Sequence, residues 1–357
     1  MEAHAQPDPA AVEAFGARVL NDASAATVAI LAALGDRLGL FKDLSTRGSA
    51  TSTEFAIRNG IGWRYAQEWL AAMASAGYVS YDSAGKRFAL PPEHASALAL
   101  ENGPLFLGGV FQMLPPLVGA FDRLAEAFRK GGGVPQSAFD EDLWEGMDRF
   151  SAVRFENLLI PRWIPAMPDV KKKLREGAVV ADVGCGRGRA LMKLAQRFPD
   201  SRFDGFDSLG NAIALARKNA RMLGVADRVR FEWRDASEGL PAQYDVITTF
   251  DVIHEAVHPK TLLRRIREAL KPDGIYVCLE ANCSENLEEN AGPLGAMRYG
   301  FSVLYCMTTS LAAGGEGLGA MGMPEPIVRE LCAKAGFGSV RRVPIEDPFN
   351  ALYEIRR

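Results

Sequence analysis

Val179-Val180-Ala181-Asp182-Val183-Gly184-Cys185-Gly186-Arg187-Gly188 joins a short apolar run, an acid and three glycines directly ahead of a helical pattern over 189–198. An apolar run without polar alternation fits a strand covered on both faces, as in a parallel sheet. Glycines in the turn that follows let a ligand approach the backbone, and the helix start offers unpaired N–H groups. The spacing is G-x-G-x-G, not the G-x-G-x-x-G of nicotinamide and flavin enzymes, and no G-x-x-x-x-G-K-[ST] phosphate loop occurs. Asp182 would oppose a pyrophosphate but suits a cationic ligand carrying an ammonium group.

The same rhythm continues outward. Apolar runs at 178–183, 202–206, 229–233, 245–250 and 275–279 are separated by helical stretches, the pattern of β-α-β units. Two later runs, 340–345 and 352–355, predict an antiparallel edge pair. The expected fold class is α/β, with a seven-stranded doubly wound sheet.

Ahead of this region, residues 12–40 carry small apolar residues at helical spacing and end at Gly39. Thr51-Ser52-Thr53-Glu54 is a capping box, 64–76 predicts an amphipathic helix closed by Gly77, and 78–90 reads as strand, turn, strand. Helix, turn, helix, hairpin is the winged-helix pattern, a tempting DNA reader. Residues 1–100, however, hold 8 basic and 10 acidic side chains, a net of −2, whereas phosphate neutralisation needs a positive face. A structural, dimerising role is expected instead. Residues 101–175 predict helices without strands. Phe106, Phe111, Met113, Trp144, Met147, Phe150, Phe155 and Trp163 are candidates either for an acceptor pocket or for ordinary inter-helix core. The expected organisation is 1–100 winged helix, 101–175 helical linker and substrate cover, and 176–357 catalytic domain.

The 357 residues exceed one core and predict two to three domains. With 48% apolar and 24% charged residues, disordered, collagen-like and coiled-coil chains are excluded. A formal charge of −3 excludes a whole-chain field that would gather nucleic acid or anionic membrane. The apolar run at 25–35 has about half the length a bilayer span needs, and secretion and membrane insertion are not expected. Five cysteines without a C-x-x-C pair predict reduced thiols in a cytoplasm.

Two more acids fall at strand ends. Asp207, followed by Ser208, stands nineteen residues beyond Gly188, where a carboxylate can take both hydroxyls of a ribose. Asp235-Ala236 ends the next strand, where a carboxylate can accept an exocyclic adenine amine. Three acids on the carboxyl edge of one sheet mark the crevice in which such sheets bind ligands.

The 182–188 turn, Phe206-Asp207, Asp235-Ala236 and Phe250-Asp251-Val252-Ile253-His254 resemble class I S-adenosylmethionine-dependent methyltransferases over 175–357. With the winged-helix part, the chain is similar in layout to bacterial two-domain small-molecule methyltransferases and plant O-methyltransferases. The resemblance implies a Rossmann-like methyltransferase sheet and S-adenosyl-L-methionine as cofactor. It places Gly184, Gly186 and Gly188 at the methionyl part, Asp207 at the ribose, Asp235 at the adenine and Phe250 within the cofactor site. It also implies a winged-helix part that builds a homodimer.

His254-Glu255-Ala256-Val257-His258 matches H-E-x-x-H, which binds zinc only where both histidines share a helical face. Pro259 follows at once and is better placed as the first residue of the next helix, so the required helix is broken at its second ligand. His254 falls just beyond the carboxyl end of the fourth strand, and an imidazole titrating near ~6.5 can take a proton from an acceptor hydroxyl at neutral pH. The resemblance matches His254 to the general base of plant-type O-methyltransferases, Glu280 to a carboxylate that orients it, and Glu316 to a second. There Asp-Trp follows the histidine, where this chain has Glu255-Ala256. Residues 284–323 are expected to be an acceptor-facing cover hinged at Gly314-Gly315-Glu316-Gly317, or a packed helix under a glycine-rich loop.

The expected protein is thus a cytoplasmic, homodimeric methyltransferase for a small hydroxyl acceptor, with no metal, nucleic acid or membrane partner. Transfer to nitrogen or carbon, or a ligand-responsive winged-helix regulator, are the alternatives.

Overall fold

The computed structural model describes residues 7–357. They divide into two compact units. The first holds residues up to Pro116 together with Glu141–Val153, and the second holds Leu117–Asp140 together with Arg154–Arg357. The helical stretch 101–175 is therefore shared between the units, and it contains no strand.

In the first unit, a helix over Pro9–Arg37 starts at the Asp8 cap and stops where Gly39 takes φ +70°. A second helix, Leu40–Arg47, follows with no spacer. The capping box is realised, with Glu54 N–H donating to Thr51 Oγ1 at 3.3 Å and Thr51 N–H donating to Glu54 at 2.9 Å. After the helix Trp63–Ser75, the strands β1 (Ser80–Asp82) and β2 (Arg87–Ala89) pair antiparallel. Trp69 is core: its ring lies 5.0 Å from Phe41 and 5.9 Å from Phe55, and its indole N–H donates to Leu31 O at 2.9 Å. Arg149 ties Glu141–Val153 to this unit by ion pairs to Asp36 at 2.6 Å and Glu101 at 2.9 Å. The helix Pro9–Arg37 extends well beyond the 25–35 apolar run. Among the described residues it is the one helix long and apolar enough, by length and composition, to cross a bilayer.

The second unit is built on β3 (Val179–Val183), β4 (Arg202–Asp207), β5 (Val229–Trp233), β6 (Tyr244–Phe250), β7 (Leu270–Ala281), β8 (Ser339–Val343) and β9 (Asn350–Arg356). The spatial order is β5-β4-β3-β6-β7-β9-β8. Strands β3 to β7 run parallel, whereas β9 is antiparallel to both β7 and β8 and lies between them. The continuous apolar runs of β3, β6 and β7 follow from burial on both faces. One core packs Val180, Phe203 and Val246 under Leu191 and Phe198, and the other packs Ile247 and Tyr276 under Leu263 and Ile266. Each such fully buried side chain contributes about 1.5–3 kcal/mol. The parallel connections bring the carboxyl ends of β3 to β7 onto one edge, with the strand order reversing between β3 and β6.

Candidate active site

The glycine turn leaves β3 with all three glycines in the left-handed region, at φ +70°, +52° and +80° for Gly184, Gly186 and Gly188. Their missing side chains face different surroundings. A Cβ at 184 would stand 2.5 Å from Val252 and one at 188 would stand 2.3 Å from Phe231, whereas one at 186 would meet nothing within 4 Å. Only Gly186 therefore opens its side-chain direction to a ligand; Gly184 and Gly188 owe their identity to φ and to close packing. The helix Arg189–Arg197 that follows starts without a side-chain cap.

Asp182 is 2% exposed, and its carboxylate accepts the Thr248 hydroxyl at 2.6 Å from the neighbouring strand β6. Burial pushes its pKa up to about 7 against the pull of Thr248, and the charge of Asp207 adds to the rise. Asp207 accepts the backbone N–H groups of Gly186 and Leu209, each at 2.8 Å, so one carboxylate clasps the glycine turn to the end of β4. Burial still raises its pKa over the lowering effect of those two donors. Asp235 is exposed and caps the turn Ala236–Glu238 through Ser237 N–H at 2.8 Å, while Ala236 is buried. Ser208 is exposed, and its carbonyl accepts the Trp233 indole N–H at 2.9 Å. Phe250 is held by Phe155 at 5.2 Å and Trp163 at 6.2 Å, two of the aromatic residues considered for an acceptor pocket. Phe106 and Met113 are buried in the first unit. The acidic, phosphate-averse crevice with its one open glycine fits an adenosyl sulfonium amino acid. Asp207 and Asp235 would hold the nucleoside, with Asp182 a buried carboxylate on β3 just ahead of the turn.

His254 lies in a short 3-10 turn, Ile253–Glu255, at the end of β6. Its Nδ1 is 2.6 Å from Glu280 Oε2, and Glu280 Oε1 accepts the Ile253 N–H at 2.8 Å. Glu280 is fully buried on β7 and His254 is 4% exposed. Burial alone would lower the imidazole pKa, but Glu280, with Cys306 and Glu255, raises it well above the ordinary value. Asp251, at φ +56°, accepts the Asn350 amide at 2.7 Å and lies 3.6 Å from Arg154. Burial pushes its pKa up to about 6 while Arg154 pulls it down. His258 precedes the helix Pro259–Ala269, so the two histidines share no helix.

Glu316 stands outside this set. Its carboxylate pairs with Lys260 at 3.3 Å on a partly exposed loop, and the second carboxylate at the imidazole is Glu255, 3.6 Å from Nε2. The glycine-rich loop around Glu316 is laid against the histidine turn. Gly319 N–H donates to His254 O at 3.0 Å, Glu316 N–H to Val257 O at 3.1 Å and Ser310 Oγ to Ala256 O at 3.1 Å. Residues 293–312 are packed helix, with Tyr305 buried against Phe139. Thr248 and Cys306 were not among the sequence candidates. Thr248 had one local signal, a hydroxyl in an otherwise apolar buried run, whereas Cys306 had none.

Residues 174–303 match the family model described as a Methyltransferase domain, and residues 26–100 match the Rv2258c-like winged HTH domain. The chain carries the methyltransferase domain of the S-adenosylmethionine-dependent class behind an N-terminal winged-helix domain. Among curated relatives, the ubiquinone biosynthesis O-methyltransferase of Pseudomonas paraeruginosa is 30% identical over 132 residues, 37% of this chain and 54% of that protein. The trans-aconitate 2-methyltransferase of Deinococcus radiodurans is 36% identical over 101 residues, 28% of this chain and 37% of that protein. The chain spans about half or less of the length of these relatives. Among solved structures, the mitomycin 7-O-methyltransferase superposes with a TM-score of 0.73 at 20% identity, covering 98% of this chain and 100% of that one. Human N-acetylserotonin methyltransferase, solved with S-adenosylmethionine, gives 0.73 at 16% identity and 99% coverage of both chains. These likenesses establish the two-domain fold along the whole chain.

Proposed function

We propose that the protein transfers the methyl group of S-adenosylmethionine to a hydroxyl oxygen of a small, apolar or aromatic acceptor, with His254 as general base and Glu280 as its positioning residue. Bound, the cofactor supplies a methyl on a sulfonium carbon, already activated for in-line displacement. The observation that carries the reading is the buried His254–Glu280 pair on the sheet edge that also holds the glycine turn and the acids. Glu280 fixes Nδ1 and leaves Nε2 as the ring nitrogen for an acceptor proton. Glu280, Cys306 and Glu255 raise the imidazole pKa against the effect of burial, and a cation sharing the crevice would act the other way. Gly186, Asp207 with Ser208, and Asp235 with Ala236 bind the cofactor in this reading, and relatives named as O-methyltransferases support oxygen as the acceptor atom.

The winged-helix part serves as a homodimer scaffold. The helix Pro9–Arg37 exposes Val12, Phe15, Val19 and Leu20, a face that a second copy would cover. Against DNA reading, four of the eight basic residues in 1–100 are paired with acids of the same module: Arg58 with Asp43 at 2.6 Å, Arg87 with Glu54 at 3.0 Å, Arg64 with Glu68 and Arg47 with Asp43. The five cysteines are unbridged, which supports a cytoplasmic setting.

A thermal-shift comparison tests the core of this reading, because only a species bound by the folded state stabilises it. S-adenosylmethionine should raise the melting temperature and NAD should not; the reverse result ends the reading. Sedimentation at micromolar concentration should show a dimer, and random duplex at low salt should not bind.

A further inference from the structure

We propose that His254, Glu255 and Cys306 form a zinc site, and that an ion bound there switches the active site off. With Nδ1 engaged by Glu280, the donor left on His254 is Nε2, which has Glu255 Oε1 at 3.6 Å. The donor atoms of His254, Glu255 and Cys306 all lie within 4.8 Å of one another. Bonds of about 2.0–2.3 Å in a tetrahedron separate donors by roughly 3.3–3.8 Å, so a modest contraction closes the trio on one ion. A nitrogen, an oxygen and a sulfur make a donor set that zinc accepts and that magnesium and calcium, which want oxygen alone, do not.

The surroundings complete the site. Glu280 on the far ring nitrogen reproduces the carboxylate–histidine–zinc arrangement that fixes a ligating imidazole. His254 and Cys306 are 4% and 7% exposed, which shields the ion, while the Glu255 side chain is 28% exposed and leaves a path of entry. Three protein donors leave the fourth position to water. The H-E-x-x-H motif thus lends its first two residues, with Cys306 of the π-helical turn Ser302–Cys306 as the third donor in place of His258. Binding takes up Zn²⁺ and releases the thiol proton, and the proton on Nε2 as well where the ring is charged. Zinc on Nε2 occupies the lone pair that would take the acceptor's proton. That consequence rests on the base assignment above, whereas the binding itself does not.

The test uses the full-length, metal-free protein titrated with Co²⁺ and then Zn²⁺. One cobalt per chain should bind, with a thiolate-to-cobalt charge-transfer band and the intense visible bands of tetrahedral cobalt, all erased by one equivalent of zinc. Cys306→Ala should lose the charge-transfer band, Glu255→Gln should weaken zinc binding at least tenfold with the fold intact, and Cys332→Ala should change nothing. Methyl transfer should fall in step with zinc loading. No band in the wild type, or a band that survives Cys306→Ala, overturns the site, and full turnover at saturating zinc overturns the switch. Failure of the methyltransferase reading would show separately, as no S-adenosylmethionine shift in the metal-free protein.

Discussion

Two clusters of acids share one edge of the sheet and are satisfied in opposite ways. At the ends of β3 to β5, Asp182 and Asp207 are partnered by a hydroxyl and by backbone N–H groups, all neutral. At the ends of β6 and β7, Glu280 and Asp251 face basic side chains, His254 and Arg154. Negative charge held only by neutral donors in a partly buried place is waiting for a cation. Negative charge already paired to an imidazole is arranged to control where a proton sits. Under the proposed function the difference divides the labour: one half would hold the cationic donor and the other would manage the acceptor's proton.

Substitutions can break this division if it is wrong. His254→Ala should lower kcat by about 10²–10⁴-fold, the usual worth of a positioned base, while calorimetry finds the S-adenosylmethionine affinity unchanged. A matching loss of affinity would merge the two halves. Asp207→Ala should do the reverse. Two charge-assisted bonds at about 1.5–3 kcal/mol each predict a loss of roughly 100-fold or more in cofactor affinity. Normal affinity in that variant counts against the cofactor assignment.

Asp182 supplies a pH test with a defined sign. Its folded pKa of about 7 exceeds the unfolded carboxylate value of ~3.9, so its contribution to stability is complete only below about pH 4, is lost as pH rises from there through about 7, and changes no further above that. The melting temperature without cofactor should therefore fall between about pH 4 and pH 7 and level off above, and Asp182→Asn should flatten that slope. Cofactor affinity should move oppositely, rising with pH as the carboxylate ionises toward the cation. The smallest effect belongs to Glu316→Ala. An exposed pair with Lys260 is worth about 0–1 kcal/mol, so kcat should stay within about twofold. A hundredfold loss would restore Glu316 to the catalytic set.

What could be read in advance follows from the range of the forces involved. Strands β3, β6 and β7 were legible because strands buried on both faces leave unbroken apolar runs, and the glycine turn was legible because it adjoins the run of β3. The insertion of β9 between β7 and β8 was not, since partner choice among apolar strands leaves no local mark. The helix Leu40–Arg47 was hidden because Gly39 ends one helix and opens the next. Thr248 reaches Asp182 across 66 residues through strand register alone. Glu316 was matched through the family resemblance, while Glu255, adjacent to the histidine, reaches the ring from the 3-10 turn Ile253–Glu255.

The bend at Asp251 limits how this chemistry can be retuned. An L-residue at φ +56° is tolerated there mainly as Asp, Asn or Gly. The carboxylate beside His254 can thus be deleted at little cost to the backbone, but a longer acid or a base at that position would have to undo the corner itself.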